Sequence, residues 1–158
     1  MAAFPDVAEA RIAALLAGAA TARSNPVAAE RAVKAALALA PHDFSARLAA
    51  YRFYFYTHRL ADALPHAEFL VGLVARRLNV AADWRSVRPG DAAFEALEEA
   101  PGSYLQALIA WGYCRARLGA RDEGAAAIAK VAELDPRDRF GARRLLAVVM
   151  NPDPSEEA

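Results

Sequence analysis

The chain has 158 residues, 56% of them hydrophobic with alanine abundant, and it balances 19 basic against 19 acidic side chains. Zero net charge removes the broad attraction that nucleic-acid and anionic-membrane binders use. The single cysteine, Cys114, rules out an intrachain disulfide and fits a reducing compartment. No apolar run reaches the roughly 20 residues that a membrane helix requires.

Alanine's helix propensity and the lack of period-two alternation predict an all-α chain. Lys34 and Lys130 are the only lysines, and arginine-for-lysine usage with so much alanine is the composition of a GC-rich bacterial genome. The first helix is expected from Pro5 to Arg23, with Pro5 in its first turn and Asp6 and Glu9 at its positive end. The stretch from Ile12 to Ala22 has the look of a signal-peptide core, but acidic Asp6 and Glu9 stand where a basic leader belongs. A first helix and a cytoplasmic location are therefore expected.

Asn25 should cap a second helix, Pro26 to Leu39, which Ala40-Pro41 stops because the residue before proline disfavours helix. Asp43 should cap the next, Phe44 to about Thr57. His58-Arg59-Leu60 makes a turn, and a returning helix runs from about Ala61 to Leu78 with Pro65 near its start. Arg88-Pro89-Gly90 and Ala100-Pro101-Gly102 are turn signals. Between them Asp91 is expected to cap a short helix, Ala92 to Glu99, carrying Phe94 and Leu97, with Trp84 in the preceding loop. Ser103 should cap the following helix to Leu118-Gly119. The chain then turns through Ala120-Arg121-Asp122 and returns to Leu134. A last helix, Arg139 to Met150, and a disordered tail, residues 151–158, complete the reading.

Leu108-Ile109-Ala110-Trp111-Gly112, Leu118-Gly119, Ala125, Ile128, Val131 and Leu134-Asp135-Pro136 form an ordered pattern of small and large apolar residues. A fainter copy ends at Ala40-Pro41. This pattern resembles the tetratricopeptide repeat, a unit of about 34 residues in two antiparallel helices. The resemblance implies an α-α superhelix of about three helix pairs, residues 9–43, 44–78 and 104–138, in one domain spanning residues 1–150. The spacing of the two prolines leaves an insertion at residues 79–103, and residues 139–150 would cap the stack. Gly112, Gly124 and Ile128 stand at the family's packing sites in the last repeat, as Ala17, Ala29 and Val33 do in the first. In the second they are Tyr51, Ala63 and Ala67, where Tyr51 departs from the small residue expected for close contact.

The resemblance implies that the first helix of each pair lines a concave wall that binds protein. Projecting one face gives Leu48, Arg52, Phe55 and Tyr56 from the second pair and Gln106, Ile109, Tyr113 and Arg117 from the third. The first pair offers only Arg11, Ala14, Gly18 and Ala22, too little for the two-carboxylate clamp that some members carry. Tyrosine and arginine are enriched at binding hot spots. Phe53 and Tyr54 are expected to pack between helices, and Arg52 to face the groove or to pair with an acid. Trp84 and Phe94 of the insertion would shape one end.

No catalytic or metal-binding constellation emerges and no cofactor is expected. His42, His58 and His66 lack zinc-ligand spacing and read as exposed polar residues. Cys114 reads as a buried apolar thiol. The arginines at 137, 139, 143 and 144 form a basic patch with only Phe140 beside it, a poor platform for stacking bases. The expected function is a non-enzymatic adaptor or assembly factor that holds a protein or peptide, with no nucleic acid and no membrane as partner. Alternatives are a self-associating module, a homodimer through Trp84 or the Phe140 helix, and a small-molecule or lipid sensor whose insertion closes the groove into a pocket.

Overall fold

The computed structural model describes residues 11–14, 16 and 25–151. Among them every regular element is helical, so the all-α expectation holds. Residues 152–158 of the expected tail, the N-terminal residues before Arg11, and Ala17, Gly18 and Ala22 lie outside the described residues. The chain divides into two compact units, residues 1–66 and 67–158, each described by itself.

In unit 1, residues 11–14 are helical, and helix α1 spans Pro26–Leu39. The Ala28 amide donates to the Asn25 side chain at 3.2 Å, and Pro26 takes the first helical position, where its missing N–H removes no bond. Ala29, Val33 and Ala36 form the buried stripe. Ala40 leaves helical geometry at φ −146° and ψ 79°, ahead of Pro41, which disfavours helix in the residue before it. Asp43 caps helix α2, Phe44–Tyr56, by accepting from the Ala46 amide at 2.9 Å. Ile12, Ala36 and Ala46 form a small core that Leu16, Leu37 and Ala40 flank.

Helix α2 buries Ala46, Ala50 and Tyr54. Ala50 is fully buried, whereas Tyr51 is half-buried beside Phe55 with ring centroids 5.5 Å apart. Aromatic side chains on nearly every face of α2 hide which stripe is the buried one. The reversal after α2 turns on His58, whose φ is +61°, and helix α3 follows as Leu60–Leu78. Pro65 lies inside α3, sixth in the helix and one turn past the first-turn position expected for it.

In unit 2, α3 ends at Asn79, left-handed at φ +56°, and the Val80 amide closes back to the Ala75 carbonyl at 3.0 Å. Two single 3₁₀ turns follow, Trp84–Ser86 and Pro89–Asp91. The short helix expected over Ala92–Glu99 does not form; those residues make tight turns. Helix α4 begins earlier than expected and spans Glu99–Arg117, so Ser103 lies within it and caps nothing. Pro101 is not a turn but a first-turn residue of α4, where amides have no intrahelical acceptor and proline loses nothing.

Gly119, at φ +110°, ends the α4 turn in a conformation that a side chain would strain. Helix α5 spans Arg121–Leu134 and packs along α4. Gly112 lies against Gly124 and Ile128, while Gly124 lies against Ala116, the ordering of an antiparallel pair. Helix α6 is shorter than expected, Ala142–Met150, and follows Gly141 at φ +72°. The Arg139 amide is already taken by the Asp135 carboxylate at 2.8 Å, which holds residues 135–141 in turns.

Candidate functional site

On α2 the buried stripe fixes what lies opposite. Arg52 and Tyr56, one turn apart, are both exposed, and Tyr56 is 74% accessible, an extreme value for a tyrosine. Leu48 and Phe55 flank them half-buried, and Phe55 meets the Tyr56 ring edge-on with centroids 5.5 Å apart. Tyr54 is buried and Phe53 half-buried, their rings 5.2 Å apart. Arg52 has no ion-pair partner among the described residues. A solvated guanidinium and a solvated phenol therefore share one helical face.

Helix α4 repeats this chemistry within unit 2. Its buried face holds Tyr104, Leu105, Leu108, Trp111, Gly112 and Cys114. Gln106 and Arg117 are exposed, and Ile109 and Tyr113 are half-buried. The Arg117 guanidinium lies 5.9 Å from the Tyr113 ring centroid, a loose cation–π contact. Each helix thus carries an exposed arginine four positions from a tyrosine, which is exposed on α2 and half-buried on α4.

The two insertion residues expected to meet a ligand do not face outward. Trp84 is buried with its ring 5.9 Å from that of Trp111, and Phe94 is buried 5.9 Å from the ring of Tyr104. Both anchor the insertion to α4, so neither offers a surface to a ligand or a second copy. The outward residue is Leu97, 95% exposed among Glu95, Glu98 and Glu99.

Residues the sequence did not single out hold the insertion down. The buried Lys130 ammonium donates to the Val87 carbonyl at 2.9 Å and pairs with Glu133 at 2.9 Å. Arg139 pairs with fully buried Asp135 at 3.3 Å and also donates to the carbonyls of Ala96, at 3.1 Å, and Phe94. The faint signal was a lone lysine in the apolar ladder of α5. Arg139 leaves the expected basic patch, and Arg137 pairs at 4.0 Å with Glu95. Arg143 stays exposed and donates to the Pro136 carbonyl at 3.2 Å.

Unit 1 contains a second polar network. Arg59 pairs with Glu30 and, at 2.9 Å, with Asp62, and its guanidinium covers the Tyr54 ring at 4.8 Å. His66 stacks on Tyr54 at 5.8 Å, and Arg47 Nη1 donates to its Nδ1 at 3.2 Å. Arginine is always a donor, so this contact requires an unprotonated Nδ1. Burial, then the neighbouring Arg47 charge, lowers the His66 pKa. His66 is therefore not the exposed histidine expected, whereas His42 and His58 are exposed.

Cys114 is fully buried, and burial pushes its thiol up to about 11, the opposite of an activated nucleophile. Among the described residues no three His, Cys, Asp or Glu side chains converge as a metal site requires. No described helix is long and apolar enough to cross a membrane.

No family model and no solved structure matches the chain. It is 42% identical over 124 residues to an uncharacterized 19.8 kDa protein in the nifW 5′ region of Azotobacter chroococcum mcd 1, covering 77% of this chain and 69% of that protein.

Proposed function

The chain belongs to the family of that Azotobacter protein, and from this premise we propose that it is a non-enzymatic interaction scaffold of tetratricopeptide-like helix pairs. Its exposed Arg52–Tyr56 face holds a peptide or a partner protein. The observation that carries this reading is Tyr56, a large ring left in solvent one turn from the exposed guanidinium of Arg52. A tyrosine supplies broad contact area with few rotors to immobilise, and an arginine adds a planar fork for carboxylates. The antiparallel α4–α5 pair, with glycine at its closest approach, supports the repeat reading. The high thiol pKa of Cys114 supports a role without nucleophilic catalysis.

The relative lies in the nifW 5′ region, which makes the nifW product the first partner to try. The test immobilises wild-type protein and the double variant Arg52→Ala/Tyr56→Ala and compares capture of that purified product, followed by proteins from the native cell. A partner retained by wild type and lost by the variant, at equal helicity and Tm, supports the scaffold. Equal capture by both proteins, or loss of helicity in the variant, overturns the assignment of this face.

A further inference from the structure

We infer that Arg85 and Arg115 form a two-guanidinium clasp for a side-chain carboxylate of a protein partner, which Glu123 occupies in the free molecule. The clasp uses none of the residues assigned to the exposed faces above, so either idea can fail alone.

Three elements of unit 2 build it. Arg85 comes from the 3₁₀ turn Trp84–Ser86, Arg115 from the last turn of α4, and Glu123 from the first turn of α5. The Glu123 carboxylate bridges the two cations, one oxygen to each: Oε2 lies 3.2 Å from Arg115 Nη2, and Oε1 lies 3.6 Å from Arg85 Nη2. An indole backs each guanidinium. Arg85 lies 4.4 Å from the Trp84 ring centroid, Arg115 lies 5.7 Å from that of Trp111, and the two indole rings are 5.9 Å apart. The buried aromatic pair therefore positions both cations before any ligand arrives.

Glu123 fills this clasp poorly. Strong guanidinium–carboxylate bonds are bidentate and about 2.7–2.9 Å long. Here each contact is single and longer, and the buried Nε of Arg115 has no acceptor among the described residues. Both arginines and Glu123 remain a third to a half exposed, so solvent and a competing group can reach them. Ion pairs at such exposure are weak, and swapping one carboxylate for another takes little.

The present occupant defines the ligand's chemistry as a carboxylate. Asp83 also accepts from Arg85, through its main-chain N–H at 3.0 Å and Nη1 at 3.3 Å. With Glu123 displaced, two cations and one anion remain. That balance suits a single Glu or Asp side chain and offers no track for a polyanion.

Both tryptophans of the chain stand in the clasp, which makes native emission its reporter. The experiment titrates the full chain with the blocked peptide Ac-Ala-Glu-Ala-NH2, with its glutamine analogue, and with inorganic phosphate. A saturable emission change is expected with the glutamate peptide alone, at millimolar concentration. Glu123→Gln, which removes the internal competitor, should tighten it about tenfold, and the exposed Arg85→Gln should weaken it by at least that factor. A tripeptide free of the acid giving the same response, phosphate binding more tightly than the glutamate peptide, or unchanged affinity in Glu123→Gln or Arg85→Gln would overturn the clasp.

Discussion

Gly112 and Gly124 bring the backbones of α4 and α5 together so closely that a Cβ on Gly112 would lie 2.8 Å from the Gly124 carbonyl oxygen. A Cβ on Gly124 would lie closer still to the Gly112 carbonyl, and 2.6 Å from the Ala116 amide nitrogen. Two small residues facing each other let buried Ala127 and Ile128 reach into the space beside α4.

Alanine at either glycine should therefore destabilise the pair despite its better helix propensity. Overpacking costs about 1–3 kcal/mol, and the propensity gain returns only about 1 kcal/mol. Gly124→Ala should be the worse, because the clash is with two backbone atoms that cannot rotate away. Urea titration checks this: both midpoints should fall, with Gly124→Ala below Gly112→Ala.

Arg139→Leu should release the insertion as well as destabilise unit 2. The substitution leaves fully buried Asp135 without its cation and frees the Phe94 and Ala96 carbonyls. Breaking a buried pair from one side costs about 3 kcal/mol or more. Limited proteolysis should show new cleavage within residues 92–98, and Arg137→Leu, which loses only a long exposed pair, should not.

Four helix ends of this fold were legible because their causes are local. Asn25, Asp43, Pro41 and Gly119 each act within four residues of themselves, and each does in the structure what its residue type implies. The insertion was not legible for the opposite reason. Its hold depends on Lys130 reaching Val87 and Arg139 reaching Phe94 and Ala96, contacts between residues far apart in sequence. Sequence patterning marked Trp84 and Phe94 as conspicuous, but exposure is a property of packing, and both rings went inward. On α2, Arg52 and Tyr56 are exposed and Tyr54, expected to pack between helices, is buried, whereas the sequence pattern left Tyr51 and Ala50 undistinguished. The exposed side carried a charge to mark it, and the buried side was ambiguous among aromatics and alanines.

His66 should make unit 1 less stable in acid. Its folded pKa is lowered, so the unfolded chain binds the proton more readily, and stability rises with pH across that interval. The contribution is complete above the ordinary histidine value of about 6.5 and is lost as pH falls through the lower folded value. An NMR titration of the His66 imidazole should give a midpoint below that ordinary value. Arg47→Met should move the midpoint back upward by removing the cation at Nδ1, although desolvation, the larger cause, stays.

Cys114 should be silent to thiol reagents in the folded protein. The thiol is fully buried, and its pKa of about 11 leaves almost no thiolate at neutral pH. Labelling by an aromatic disulfide reagent should then proceed only through opening of the α4–α5 pair, so its rate reports that opening. Gly124→Ala should accelerate labelling in proportion to its loss of stability, whereas Tyr56→Ala, on an exposed face of unit 1, should leave the rate unchanged. Fast stoichiometric labelling of native wild-type protein would show that the thiol is reachable without opening, and the packing assigned to α4 would have to be redrawn.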